Sequence, residues 1–302
     1  MRFCDIQEAI GHTPLVEIAR MSPNQVRIFA KLEGQNLGDS GSVKDRIAKY
    51  MIEKAEESGQ LTHDKIILEG TSGNTGIALA MIGLRKGYRV MVVMPDNMSV
   101  ERRELLQLYG AAIILSEGAK GTNGAIELAS RMAQDKRYYM PYQFGNPANP
   151  RAHYETTGVE ILEDMGELKV DVFIAGIGTG GTLMGVGKRL KEHNPEARVI
   201  GVEPFPGDPI PGLRSLAEGF VPPIIDFSLI DQKALVTSKE AIGAARDLLQ
   251  REGIFAGPSS GAALYQAVKT AREMGSGTIV VVLPDGGWKY LSMDVWTRKY
   301  EL

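Results

Sequence analysis

Three turns rich in glycine and hydroxyl residues, and one lysine among small neighbours, are the parts of this 302-residue sequence equipped for chemistry. The turns are Glu69-Gly-Thr-Ser-Gly-Asn-Thr-Gly76, Gly176-Ile-Gly-Thr-Gly-Gly-Thr182 and Ala256-Gly-Pro-Ser-Ser-Gly-Ala262. The first two stand between a strand-like apolar run and a helical pattern, and the third opens a helix. Free backbone amides and the helix dipole at such a place favour an anion. In the second turn Thr179 and Thr182 add hydroxyl donors, which suits a phosphate. Any one of these turns also reads as plain turn chemistry with an N-cap, and Ser259 alone reads as such a cap. Two turns that each hold three or more small residues point beyond that. The second is not a Walker loop, because no Gly-Lys-Ser/Thr follows, and it lacks the acidic ribose partner of a dinucleotide fingerprint. The lysine is Lys44, in Ser40-Gly-Ser-Val-Lys-Asp-Arg46. A lysine amine is a nucleophile or a base once it sheds its proton, and burial or nearby positive charge promotes that loss. By position alone, at the start of a helix, Lys44 reads as a solvated surface residue.

The elements that must position these groups follow from apolar periodicity. Strands are predicted at 28–32, 65–68, 88–94, 112–115, 170–175, 198–202 and 278–283. Helices are predicted at 43–58, 76–86, 99–109, 122–134, 152–164, 181–193, 239–251 and 261–273. The unbroken runs Val-Met-Val-Val-Met and Ile-Val-Val-Val-Leu suit strands covered on both faces, as in a parallel sheet. Alternation of strand and helix implies right-handed βαβ units and an α/β fold. Residues 204–223 form a long irregular stretch rich in Gly and Pro, and such loops in compact domains tend to be functional.

Composition excludes several functions. A net charge of −3 without a basic stripe argues against nucleic acid. No stretch reaches the roughly 20 apolar residues that cross a bilayer. Residues 1–11 mix charged and apolar types and do not read as a signal peptide. With Cys4 as the single cysteine, no intrachain disulfide forms, which together points to the reducing cytoplasm.

Four motifs in this order, Gly-Ser-Val-Lys-Asp-Arg, Thr-Ser-Gly-Asn-Thr-Gly, Gly-Thr-Gly-Gly-Thr and Ser-Ser-Gly-Ala, resemble the cysteine synthase family of fold-type II pyridoxal-phosphate enzymes. Gly11-His-Thr-Pro-Leu-Val16 and Lys31-Leu-Glu33 are similar as well, so the likeness runs over nearly the whole chain. It implies two three-layer α/β domains with mostly parallel sheets, like the tryptophan synthase β subunit. The smaller, mobile domain would span 36–147, and the larger 1–35 plus 148–302. It further implies that Lys44 forms the Schiff base with pyridoxal 5'-phosphate and that Asn74 bonds the ring hydroxyl oxygen. Gly178, Thr179, Gly180, Gly181 and Thr182 would cradle the phosphate, and Ser259 would face the ring nitrogen. Thr71, Ser72, Gly73 and Thr75, with Gln143, would hold the substrate carboxylate. The implied activity is cysteine biosynthesis by β-replacement on an activated serine through an α-aminoacrylate, without a metal, in a cytoplasmic homodimer.

Within that family Met94-Pro-Asp-Asn-Met-Ser-Val-Glu-Arg-Arg103, Tyr142-Gln-Phe-Gly-Asn-Pro-Ala-Asn149 and Glu252-Gly-Ile-Phe-Ala-Gly257 are similar to the cysteine synthase B branch. Pro211-Gly-Leu-Arg-Ser-Leu-Ala-Glu-Gly-Phe220 resembles the O-phosphoserine type, in which Arg214 would receive the substrate phosphate. The plain reading keeps Arg214 as a loop residue or a partner of Glu218, with O-acetylserine as substrate. The sulfur donor is open among sulfide, thiosulfate and the thiocarboxylate of a small carrier protein. Two departures from the pattern stand out: the 36–42 approach to Lys44 is about two residues longer, and no long C-terminal tail is expected to fold over the site. The rival readings are a serine or threonine dehydratase, a cystathionine β-synthase-type enzyme, and a cofactor-binding protein that docks a partner without turnover.

Overall fold

The computed structural model describes residues 2–38, 40–71 and 73–297; Ser72 lies outside the described residues. The strands are β1 Leu15–Glu17, β2 Gln25–Leu32, β3 Ile66–Gly70, β4 Arg89–Pro95, β5 Ala112–Ser116, β6 Tyr138–Tyr139, β7 Val172–Gly176, β8 Arg198–Pro204, β9 Gln232–Val236 and β10 Ser276–Leu283. The helices are α1 Lys44–Glu57, α2 Asn74–Lys86, α3 Val100–Leu108, α4 Gly121–Met132, α5 Ala148–Glu155, α6 Thr157–Met165, α7 Gly181–His193, α8 Ser238–Glu252 and α9 Pro258–Glu273. One sheet has the order β1-β2-β10-β7-β8-β9 and the other β5-β4-β3-β6. All pairings are parallel except β1 with β2.

Each sheet is covered on both faces, and the alternating side chains of a strand explain how. Along β10, Ile279, Val281 and Leu283 enter the core under α8 and α9, while Val280 and Val282 enter the core under α6 and α7. Along β3, Ile67 packs toward α1 and α2, and Leu68 packs toward α4. The parallel α/β reading therefore holds. The catalytically suggestive turns follow β3 and β7, at the carboxyl ends of parallel strands, where ligand crevices form in such sheets.

Three short strands, β1, β6 and β9, were not foreseen; β9 is an edge strand in which only Ala234 and Val236 reach the core. The predicted helix 152–164 is two helices, α5 and α6. The break falls at Thr156, whose hydroxyl bonds the Ala152 carbonyl at 2.7 Å while its backbone departs from helix (φ −119°, ψ −76°). The Thr156 amide bonds the same carbonyl at 3.0 Å, so amide and hydroxyl share one acceptor, a side-chain bond that often bends a helix. After the break, α5 packs on α7 and α1, and α6 carries Glu160 to the first turn of α1.

That first turn is anchored by Arg46, buried together with its partner Glu33. Arg46 Nε and Nη2 each donate at 2.8 Å to one oxygen of Glu33. Nη1 and Nη2 donate to the two oxygens of Glu160 at 2.6 and 2.7 Å. Thr13 completes the cluster by donating to Glu33 at 2.7 Å, and Lys31 pairs with Glu160 at 2.9 Å. Burial pushes the Glu160 carboxyl up, but Arg46 and Lys31 outweigh it and hold the pKa at about 2. Breaking a buried ion pair strands the remaining charge, at a cost of about 3–5 kcal/mol. Arg46→Met is accordingly expected to lower unfolding free energy by about that amount in denaturant titrations. A loss below about 1 kcal/mol, that of an exposed pair, would contradict the anchoring role.

Candidate active site

Lys44 is the first residue of α1, and the end of β10 fixes the chain that leads to it. Val43 donates its amide to the Pro284 carbonyl at 2.8 Å, and Ser42 pairs with Asp285 in an isolated bridge. Lys44 is half-buried and lines a cavity. Burial lowers its pKa, against the opposing pull of Asp285 and Glu33. A solvated surface lysine is thereby excluded.

The same cavity is lined by Gly178, Thr179, Gly180, Gly181 and Thr182 at the start of α7. Gly180 takes a left-handed conformation (φ +91°), which glycine adopts without penalty. Gly212 and Leu213 from the irregular 204–223 stretch close the cavity from another side. Ser259, in the first turn of α9, is buried behind Gly212: a Cβ built there would come 3.0 Å from the Ser259 hydroxyl. Asn74, the first residue of α2, donates Nδ2 to Asp285 Oδ2 at 2.8 Å. Lys44, the α7 turn, Ser259 and Asn74 therefore gather around the end of β10.

Thr71 and Thr75 are buried on either side of Gly73. Thr75 donates its hydroxyl to Gln143 Oε1 at 2.6 Å, and Thr71 Oγ1 accepts from the Gly73 amide at 3.2 Å. Gly73 has φ +149°, and a Cβ there would lie 2.4 Å from the Arg102 side chain, so only glycine fits. Gln143 is held from below by Glu69. The Glu69 carboxylate accepts the Tyr142 amide at 2.9 Å, and burial raises its pKa to about 8 despite backbone donors from Tyr142 and Gln143.

Arg214 projects from the irregular stretch between Phe144 and Phe220, 5.0 and 4.4 Å from their ring centres. Its Nη1 donates to Asn123 Oδ1 on α4 at 2.8 Å. Glu218 is not its partner; that carboxylate accepts the Gly207 amide at 2.9 Å. Arg214 forms no ion pair among the described residues, and burial lowers its pKa while Tyr142 opposes the shift. A larger hollow of about 610 Å³ lies on the outer side of α1 beside Tyr50, Tyr139 and Arg151, and Lys44 does not line it.

Several residues of the site carry no signal in the sequence. Asp285, fully enclosed, receives both Asn74 and the Tyr290 hydroxyl at 2.6 Å on one oxygen. Asn149 donates to the Gln143 carbonyl at 2.8 Å and to Thr179 Oγ1 at 3.0 Å, linking two turns. His153 bridges Thr157 and Thr182 at 2.9 and 3.2 Å. Burial, then the charges of Arg46 and Lys44, keep His153 well below its usual pKa, so it is neutral near pH 7. Each is a common residue type that takes at least one partner from a distant segment, and only Asn149 belongs to a string quoted above, Tyr142–Asn149.

A family model described as pyridoxal-phosphate dependent enzyme matches residues 6–285. A cysteine synthase of Staphylococcus aureus (strain Mu50) is 43% identical over 302 residues, covering 97% of each chain. The crystal structure of a cysteine synthase from Entamoeba histolytica superposes with a TM-score of 0.91 at 38% identity, covering 100% of this chain and 93% of that one. A hydrogen sulfide-producing enzyme from Fusobacterium nucleatum has a TM-score of 0.90 at 40% identity, with 96% and 100% coverage.

Asn149 is packed against the α7 turn without slack. A Cβ on Gly181 would stand 1.8 Å from Asn149 Oδ1. Gly181→Ala is expected to cost about 1–3 kcal/mol in thermal or denaturant unfolding. An unchanged stability would show that the two segments yield freely.

Proposed function

Since the chain belongs to the pyridoxal-phosphate dependent enzyme family, we propose that it makes cysteine by β-replacement on an activated serine, with O-phosphoserine as the substrate that Arg214 favours over O-acetylserine. The observation that carries this reading is that Lys44 and the Gly178–Thr182 turn line one cavity, the amine of the first with a pKa lowered by burial and the second offering amides at a helix N-terminus. These residues suit pyridoxal phosphate, which needs a reactive amine and a phosphate cradle within one molecule's length. When bound, the cofactor supplies an aldehyde for the substrate amine and a conjugated ring that accepts the electrons left at Cα.

The chain's own groups do the rest. Lys44 Nζ takes the Cα proton and returns it after the sulfur nucleophile adds at Cβ; burial, by lowering its pKa, makes the proton easier to shed. The Gly178–Thr182 amides and hydroxyls hold the phosphate. Ser259 offers the ring nitrogen a neutral hydroxyl, which does not stabilise full positive charge there, and this favours elimination at Cβ over transamination. Asn74 Nδ2 serves the ring hydroxyl oxygen. Thr71, Gly73, Thr75 and Gln143 hold the substrate carboxylate, with Ser72 the further member of that loop. Arg214 has no carboxylate partner, and its planar fork matches a phosphate leaving group better than a neutral acetyl ester.

Residues 36–147 would close as the mobile unit over this cleft, excluding water from the reacting carbons. Two contacts span the mouth in support: Arg214 with Asn123, and Phe144 with Phe220 edge to face at 5.4 Å between ring centres. Solution scattering is expected to show compaction on adding O-phosphoserine, and an unaltered profile would count against closure.

The direct test is a visible spectrum of the purified protein followed by each serine ester in turn. The protein is expected to be yellow, to change its band at a lower concentration of O-phosphoserine than of O-acetylserine, and to revert with sulfide. Arg214→Ala is expected to erase the O-phosphoserine advantage, about tenfold or more. A colourless protein that takes up no pyridoxal phosphate would overturn the reading. A response to O-acetylserine alone would make Arg214 structural.

A further inference from the structure

A second lysine is enclosed beside the first. Lys289 is buried, and its carbonyl accepts the Ser99 hydroxyl at 3.2 Å from the segment leading into α3. Its Nζ donates to the carbonyl oxygens of Ser40 and of Gly41, the latter at 3.1 Å, and to Asn74 Oδ1 at 3.1 Å. An ammonium has three N–H donors and no acceptor, so three partners use its capacity in full. All three partners are neutral oxygens. Two belong to the approach loop of Lys44 and the third to the first residue of α2, so one charge ties both segments together.

A buried lysine that caps loop carbonyls is an ordinary way to hold a turn. The contact with Asn74 adds something more specific. An amide side chain has an accepting end and a donating end, and reversing it exchanges them. With Oδ1 engaged by an ammonium, Nδ2 must point the other way, and it does so toward Asp285 Oδ2 at 2.8 Å. A reversed amide would set its NH₂ against the ammonium and its oxygen against a carboxylate. Both ends of Asn74 are thus dictated by opposite charges on either side.

We infer that Lys289 is a positioning residue of this site: it locks the Asn74 amide with its N–H donors turned to the Asp285 side and binds that lock to the Ser40–Gly41 loop before Lys44. The inference rests on the cofactor reading, in which Asn74 Nδ2 serves the ring hydroxyl oxygen. Charged groups facing Lys289 come from three elements: Asp45 and Lys44 from α1, Asp285 from the end of β10, and Arg102 from α3. Burial, with Arg102 and Lys44, lowers its pKa, while Asp285 and Asp45 raise it.

The test is a double-mutant cycle on the cofactor-loaded protein, which separates action through Asn74 from action on the loop alone. Lys289→Met keeps the stem and removes the charge; Asn74→Ala removes the amide. The dissociation constant for pyridoxal phosphate is measured for wild type, both single variants and the double. Lys289→Met is expected to weaken binding about tenfold with Asn74 present and less than about threefold with Asn74→Ala. The pH midpoint of the visible band is expected to rise in Lys289→Met, because a neighbouring positive charge has gone. Lys289→Gln runs the same cycle if the methionine variant does not fold. Equal losses in both backgrounds, or an unmoved affinity and midpoint, would overturn the inference. Wild-type protein that takes up no pyridoxal phosphate would instead sink the cofactor reading on which it rests.

Discussion

The constraint on which the rest depends is the buried guanidinium of Arg46, two residues after Lys44 and clamped by two carboxylates at once. Glu33 comes from the end of β2 and Glu160 from α6, so the first turn of α1 cannot move without breaking charge-assisted bonds in a low-dielectric setting. That turn also brings a cation toward the positive end of a helix dipole, which is unfavourable for Lys44. The cluster supplies the compensating negative charge: Glu33 is among the groups that raise the Lys44 pKa against burial. A lysine is thereby held at the start of a helix, its pKa lowered by burial and that lowering opposed by Glu33, without being expelled to solvent.

From this anchor the site is assembled as linked contacts between turns. Lys289 joins the loop before Lys44 to Asn74; Asn74 meets Asp285; Asp285 accepts the Gly257 amide at the mouth of α9. On the other side Thr75 bonds Gln143, whose backbone is held by Asn149, which also holds Thr179 in the α7 turn. His153 continues to Thr182, and its neutrality follows from burial beside Arg46 and Lys44. Each cradle is therefore shaped by a neighbour from another element.

Much of this was legible in the sequence because the strand runs are long and apolar and the helical periods clean. β7 and β10 were found within a few residues, and α7 within its observed bounds, for that reason. The predicted helix at 152–164 runs over the division because apolar spacing continues across Thr156, whereas the backbone turns out of helix there, with the Thr156 amide and hydroxyl sharing the Ala152 carbonyl. β9 is hidden in the sequence because this edge strand exposes three of its five residues, the apolar Leu235 among them, so apolar and polar types do not alternate. Arg214 was assigned as a candidate by likeness, but its freedom from Glu218 is a matter of where Gly207 sits.

The sequence by itself determined the parallel α/β architecture, since two-sided burial writes unbroken apolar runs, and it determined the three turns with chemical potential, since glycine and hydroxyl strings are local signals. Tertiary structure alone decided the electrostatic state of those turns. Lys44 reads as a surface lysine until Glu33, Asp285 and the cavity wall surround it, and Asp285, His153 and Lys289 have no local signature. The partners that tie them to the other turns lie between about thirty and more than two hundred residues away along the chain. Burial and charge are sums over space, and the strings along the chain do not contain them.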